Sequence, residues 1–155
     1  MRRVGSVQPV VVITRATCVI AFAALAVSAL GAQQAGEGRT TNDKVFAEAQ
    51  ATRGAAVYQE QCASCHGPQL AGIETLMAPP LAGPEFALSW NDLSVNDLFE
   101  RIRIGMPKNK PGTLTREQIA DALAFILRFN KSPSGSSELS NDADALKAIK
   151  IVLAK

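Results

Sequence analysis

The chain has 155 residues, of which 47% are hydrophobic and 5% aromatic, with a formal net charge of +2. That length suits one domain with a removable leader. The near balance of charge excludes a generally basic, nucleic-acid-binding surface, and no Gly-rich phosphate cradle or acid/base pair points to nucleotide or hydrolytic chemistry.

Residues 1–32 read as a signal peptide. Arg2, Arg3 and Arg15 precede the thirteen-residue apolar run Cys18–Leu30, which ends in the small pair Gly31-Ala32. A membrane span needs roughly 20 apolar residues, so cleavage near Ala32 is expected. The alternative is a retained membrane tether using the stretch from Val10, which Arg15 interrupts. Cleavage removes those three arginines and leaves 13 basic against 14 acidic residues, a net charge of −1. Cys18 departs with the leader, and Arg15-Ala16-Thr17 before it is no lipoprotein cleavage box. Of the three cysteines, Cys62 and Cys65 remain.

Residues 33–43 are polar and aperiodic, which predicts a flexible leash ahead of a domain over 44–155. The Ala-rich stretch Phe46–Gln61 predicts a helix running into the cysteines. Residues 67–93 hold Pro68, Pro79, Pro80 and Pro84 and read as a constrained irregular loop, a length that is uncommon unless the loop wraps something. Ser94 and Asp97 have capping-box spacing ahead of Leu98 and Ile102, which predicts a helix over 95–104, stopped by Gly105 and Pro107. Thr115 and Gln118 repeat the box, and Ile119, Ala122, Leu123 and Ile126 form an apolar stripe behind it. After the break at Ser132–Ser137, Leu146, Ile149 and Val152 suggest a last short helix within 142–153. No strand alternation stands out, so the fold class is all-α. Three or four short helices bury too little by themselves, and a large apolar group is expected to complete the core.

Cys62-Ala-Ser-Cys65-His66 is the C-x-x-C-H pattern of covalent haem attachment. Two cysteines three apart on a helical turn can reach the vinyl groups along one porphyrin edge, while the following imidazole projects toward the iron. A thioredoxin-like pair would need a βαβ setting that is missing here, a structural zinc would want a fourth ligand beyond two cysteines and the sole histidine, and a plain disulfide leaves His66 and the long loop unexplained. With one histidine, the second axial ligand is a methionine, a lysine amine or nothing. Met106 lies between Gly105 and Pro107, forty residues after His66, in a stiff setting. Met77, eleven residues away, is within reach but sits in an apolar loop where methionine commonly fills gaps. Met106 is the expected ligand.

Gly54-x-x-x-Tyr58-x-x-x-Cys62-x-x-Cys65-His66, with Gly105-Met106-Pro107 and Leu114-Thr115, resembles the class I c-type cytochromes over roughly residues 45–152. Ala49-Gln50-Ala51, Pro80-Leu81-Ala82-Gly83-x-x-Phe86-x-x-x-Trp90 and Asn130-x-x-Pro133-x-Gly135-x-x-Glu138-Leu139 are similar, more narrowly, to single-haem domains beside or fused to periplasmic quinoprotein dehydrogenases. The resemblance implies a small cytochrome c fold of three to five short helices wrapped around one covalent haem c. It implies that Gly54 lets the first and last long helices approach, with Tyr58 meeting Phe125, and that the Pro79 carbonyl holds the other ring nitrogen of His66. Leu81, Leu98 and Ile102 would line the haem, and Trp90 would either approach a propionate or serve as a core aromatic. It also implies haem attachment outside the plasma membrane, hence a periplasmic location.

Histidine–methionine ligation leaves no open iron site, so the expected function is single-electron transfer rather than catalysis. The alternatives are an electron-accepting haem subunit fixed to a dehydrogenase or oxidase complex, and a peroxidase or ligand sensor, which would need Met106 absent or displaced. Expected partners are redox proteins such as a quinoprotein dehydrogenase or a terminal oxidase, with membrane tethering only if the leader is retained. Arg101, Arg103, Lys108, Lys110 and Arg116 gather around Met106 and suggest a basic patch there.

Overall fold

The computed structural model describes residues 38–153; the predicted leader and residues 33–37 lie outside them. Strand β1 (Arg39–Thr40) is followed by helices α1 (Glu48–Gln61), α2 (Ala63–His66), α3 (Gly83–Trp90), α4 (Val95–Gly105), α5 (Arg116–Phe129) and α6 (Ala143–Lys147), and by strand β2 (Ile149–Lys150). The fold is mostly helical, of the small all-α class expected, with one two-stranded parallel sheet.

The pair α1 and α5 forms the largest contact between elements. It depends on Gly54, where a Cβ atom would fall 1.8 Å from the Asp121 carbonyl oxygen on α5. Tyr58, one turn on, places its ring 5.1 Å from Phe125. On α5 the stripe Ile119, Ala122, Leu123 and Ile126 is buried throughout. Both capping boxes are complete: the Ser94 and Thr115 side chains accept from the backbone of Asp97 and Gln118, which return the bond to the cap residue's N–H.

Three stretches differ from their predicted forms. The loop 67–93 contains a 3-10 turn, Glu74–Leu76, and the two-turn helix α3. Pro84 stands at the start of α3, where its missing N–H has no intrahelical partner to lose and its fixed φ suits the helix. The last segment is helical only over α6, because Ile149, Ile151 and Leu153 alternate as a buried strand face. The described part of the 33–43 stretch is packed onto the domain. Arg39 and Thr40 pair with Ile149 and Lys150, and buried Thr41 exchanges hydrogen bonds with the Val152 backbone at 2.9 Å.

The segment after α5 acts as a strap. Gly135 N–H donates to Phe46 at 2.7 Å, and the Gln50 side chain, buried on α1, bonds Leu139 N–H and C=O at 2.7 and 3.0 Å. Farther on, Ile151 donates to Leu93 at 2.8 Å and accepts from Asp92 at 3.0 Å. The strap thereby joins the first strand, the start of α1 and the α3–α4 turn.

Candidate haem centre

Helix α1 ends at Gln61, and Cys62 has a non-helical φ of −124° before α2 begins. Within this turn the Cys65 and His66 amides both donate to the Cys62 carbonyl, at 3.0 and 2.9 Å. Cys65 is exposed, Cys62 is half-buried, and no disulfide joins them. Burial, with the Cys65 charge adding to it, pushes the Cys62 thiol up to about 11. A thioredoxin-type nucleophile requires the opposite shift.

His66 is 7% exposed and held from several sides. Its Nδ1 lies 2.8 Å from the Pro79 carbonyl oxygen. A carbonyl can only accept, so Nδ1 carries the proton and Nε2 keeps its lone pair for a metal. The His66 carbonyl accepts from Gly72 N–H at 2.8 Å. Gly72 has φ +76°, and a Cβ there would come within 2.5 Å of the Ala78 carbonyl, so the loop can close on the histidine only with glycine. Below the turn, the Tyr58 hydroxyl donates to the Gly67 carbonyl at 2.7 Å, and burial raises the phenol's pKa, keeping it a donor.

Beyond the histidine the core is incompletely covered. Leu98 is buried, whereas Leu81, Trp90 and Ile102 are half-buried and packed against the core. Trp90 packs 6.2 Å from Phe86 and lines a cavity of about 370 Å³ with Arg101, Ile104 and Gly105. Met106 is the half-buried residue directly after α4, with its amide bonded to Ile102 and a cis peptide to Pro107. Met77 instead occupies a left-handed position at the tip of the 73–78 turn and is 82% exposed.

Two side chains that sequence reasoning missed belong to this setting. The Asn130 amide donates to the Leu81 carbonyl at 2.9 Å and accepts from Gly83 N–H at 3.1 Å, pinning the loop to the end of α5. Leu114 packs half-buried against the core after the Met106 turn. Asn130 and Leu114 both fall within the motifs of the resemblance, but nothing local marks their contacts.

Two thiols and an available imidazole nitrogen on one turn, beside apolar side chains that the protein only partly covers, fit a porphyrin bound through thioethers. Such a domain is of the haem c class. The chain belongs to the family described as cytochrome c oxidase, cbb3-type, subunit III, whose family model matches residues 49–126, and it is a class I c-type cytochrome domain carrying haem c on Cys62 and Cys65. No curated protein and no solved structure matches the chain significantly.

Proposed function

We propose that the protein is an exported single-electron carrier whose haem iron is bound axially by His66 and Met106. The observation that carries this reading is the contrast among the candidate ligands. His66 is buried with Nδ1 committed to Pro79, Met106 stands half-buried at the end of α4 beyond Leu98 and Ile102, and Met77 is 82% exposed.

When bound, haem supplies an iron that stores one electron by cycling between ferric and ferrous states. The Pro79 carbonyl fixes the tautomer and plane of His66 and makes Nε2 a stronger base. The soft Met106 thioether favours the ferrous state and raises the potential. Leu81, Trp90, Leu98 and Ile102 would hold the apolar ring and keep water from its buried side, so that little solvent would have to reorganise when the charge changes. His66 and Met106 together would leave peroxide and dioxygen no place to bind, which would separate a carrier from a peroxidase or sensor. The leader at 1–32 directs export to the periplasm, and no described helix is long and apolar enough to cross a membrane. Redox proteins, including a quinoprotein dehydrogenase, are the fitting partners.

The family description favours a second form of the same chemistry, a haem subunit fixed to an oxidase complex. The native mass of the exported protein decides between them: a free carrier runs as a small domain, and a subunit runs with its complex. The ligation itself is tested by the visible spectrum. The ferric protein is expected to show the weak far-red band of a thioether–iron bond, lost in Met106→Ala and kept in Met77→Ala. A native protein without that band overturns His66/Met106 ligation.

A further inference from the structure

Two side-chain amides clamp the strap. Gln50 on α1 bonds the N–H and C=O of Leu139. Asn91 makes the same pair of contacts with Leu153: its Oδ1 accepts from the Leu153 N–H at 2.8 Å and its Nδ2 donates to the Leu153 carbonyl at 3.3 Å. Around Asn91 the strap is stitched further to the α3–α4 turn. Asp92 N–H donates to the Ile151 carbonyl and Ile151 N–H to the Leu93 carbonyl, and Ser94, the cap of α4, forms a β-bridge with Lys150. The side chains of Ile149, Ile151 and Leu153 are buried. Asn91 directly follows Trp90, which is the last residue of α3 and the only tryptophan of the chain. Trp90 packs on Phe86 and lines, with Ile104 and Gly105 at the end of α4, the cavity of about 370 Å³; Met106 is the next residue.

We propose that the end of the strap positions Trp90 in the haem wall through the Asn91–Leu153 clamp and thereby raises the reduction potential; this rests on the placing of Trp90 beside the haem. Helix α3 has only eight residues, and a helix shorter than about 12–15 residues does not hold its own ends in water. Phe86 and Ala87 anchor its middle in the core, whereas Leu88 and Ser89 are exposed. What fixes its last residue is therefore the turn that follows, and the strap fixes that turn. An indole held against the ring keeps water from its flank. Ferric iron carries one positive charge more than ferrous iron and gains more from nearby water, so excluding that water favours the ferrous state. Asn91 is thus a positioning residue that acts through Trp90, and the strap couples the far end of the chain to the haem.

The test is a double-variant cycle on the holoprotein, read by the midpoint potential and by the near-ultraviolet circular dichroism of Trp90, whose sharp bands require a fixed indole. Asn91→Ala and a chain ending at Val152 remove the clamp from its two sides. Each is expected to weaken those bands and to shift the potential downward. Gln50→Ala removes the equivalent pair of bonds at the other clamp, and is expected to lower the thermal midpoint while keeping both signals. Trp90→Ala is expected to lower the potential, and Asn91→Ala on top of it to add no further shift, because its effect passes through the indole. Native bands and potential in the clamp variants, an equal shift in Gln50→Ala, or shifts that add in the double variant overturn the positioning role. A native potential in Trp90→Ala overturns the placing of Trp90 beside the haem, and the positioning role falls with it.

Discussion

Tyr58 shows how one atom secures the haem-bearing turn. Its ring is held by Phe125 and its hydroxyl by the Gly67 carbonyl, so Tyr58→Phe preserves the packing and strands a buried acceptor. The expected cost is about 1–3 kcal/mol, read as a lower urea midpoint with unchanged slope; an unchanged midpoint would show that the bond contributes nothing. At this scale, what the sequence disclosed was what spacing controls. Cys62, Cys65 and His66 fall on one turn because they lie within five positions, and a turn is local. Met106 was distinguishable from Met77 by its Gly and Pro neighbours, and the two prove to differ in exposure as well. Asn130 remained invisible, because its partners Leu81 and Gly83 are separated from it by 49 and 47 positions, and an asparagine at a helix end looks like an ordinary terminator.

Among the elements, α1 and α5 depend most on each other. Gly54→Ala would drive a Cβ into the Asp121 carbonyl, 1.8 Å away, and the helices would have to separate. Overpacking of this kind costs typically about 1–3 kcal/mol and here, against backbone, the upper end or more is expected. Thermal unfolding of the variant checks it, and a transition at the native temperature would mean that the interface gives way freely. The long helices α4 and α5 were legible because each announces its start by a capping box and its buried face by three- and four-residue steps. Helix α3 was hidden by Pro84, a residue that breaks helix interiors but begins helices well. The final strand was hidden by coincidence. Leu146, Ile149 and Val152 keep helical spacing while Ile149, Ile151 and Leu153 keep strand spacing, and only the neighbour Thr40, far away in sequence, settles which is used.

The molecule as a whole is closed by its strap. Leu146, Ile149, Ile151 and Leu153 are 0–6% exposed, and burying each contributes roughly 1.5–3 kcal/mol, which together rivals the total stability of a typical domain, about 5–15 kcal/mol. A chain ending at Ser140 is therefore expected to lose its cooperative thermal transition; a sharp transition by calorimetry would show that the family-matched region stands alone. The strap lies beyond the residues 49–126 that the family model matches. Thr41 and Val152, which exchange two hydrogen bonds, are separated by 111 positions. Since a ribosome delivers residues in order, the first strand emerges 111 positions ahead of the residue it bonds, and its pairing has to wait until that later segment has been made. Biosynthesis thus leaves the domain unlatched until the strap has been made, with Cys62 and Cys65 already present and strand β1 still free.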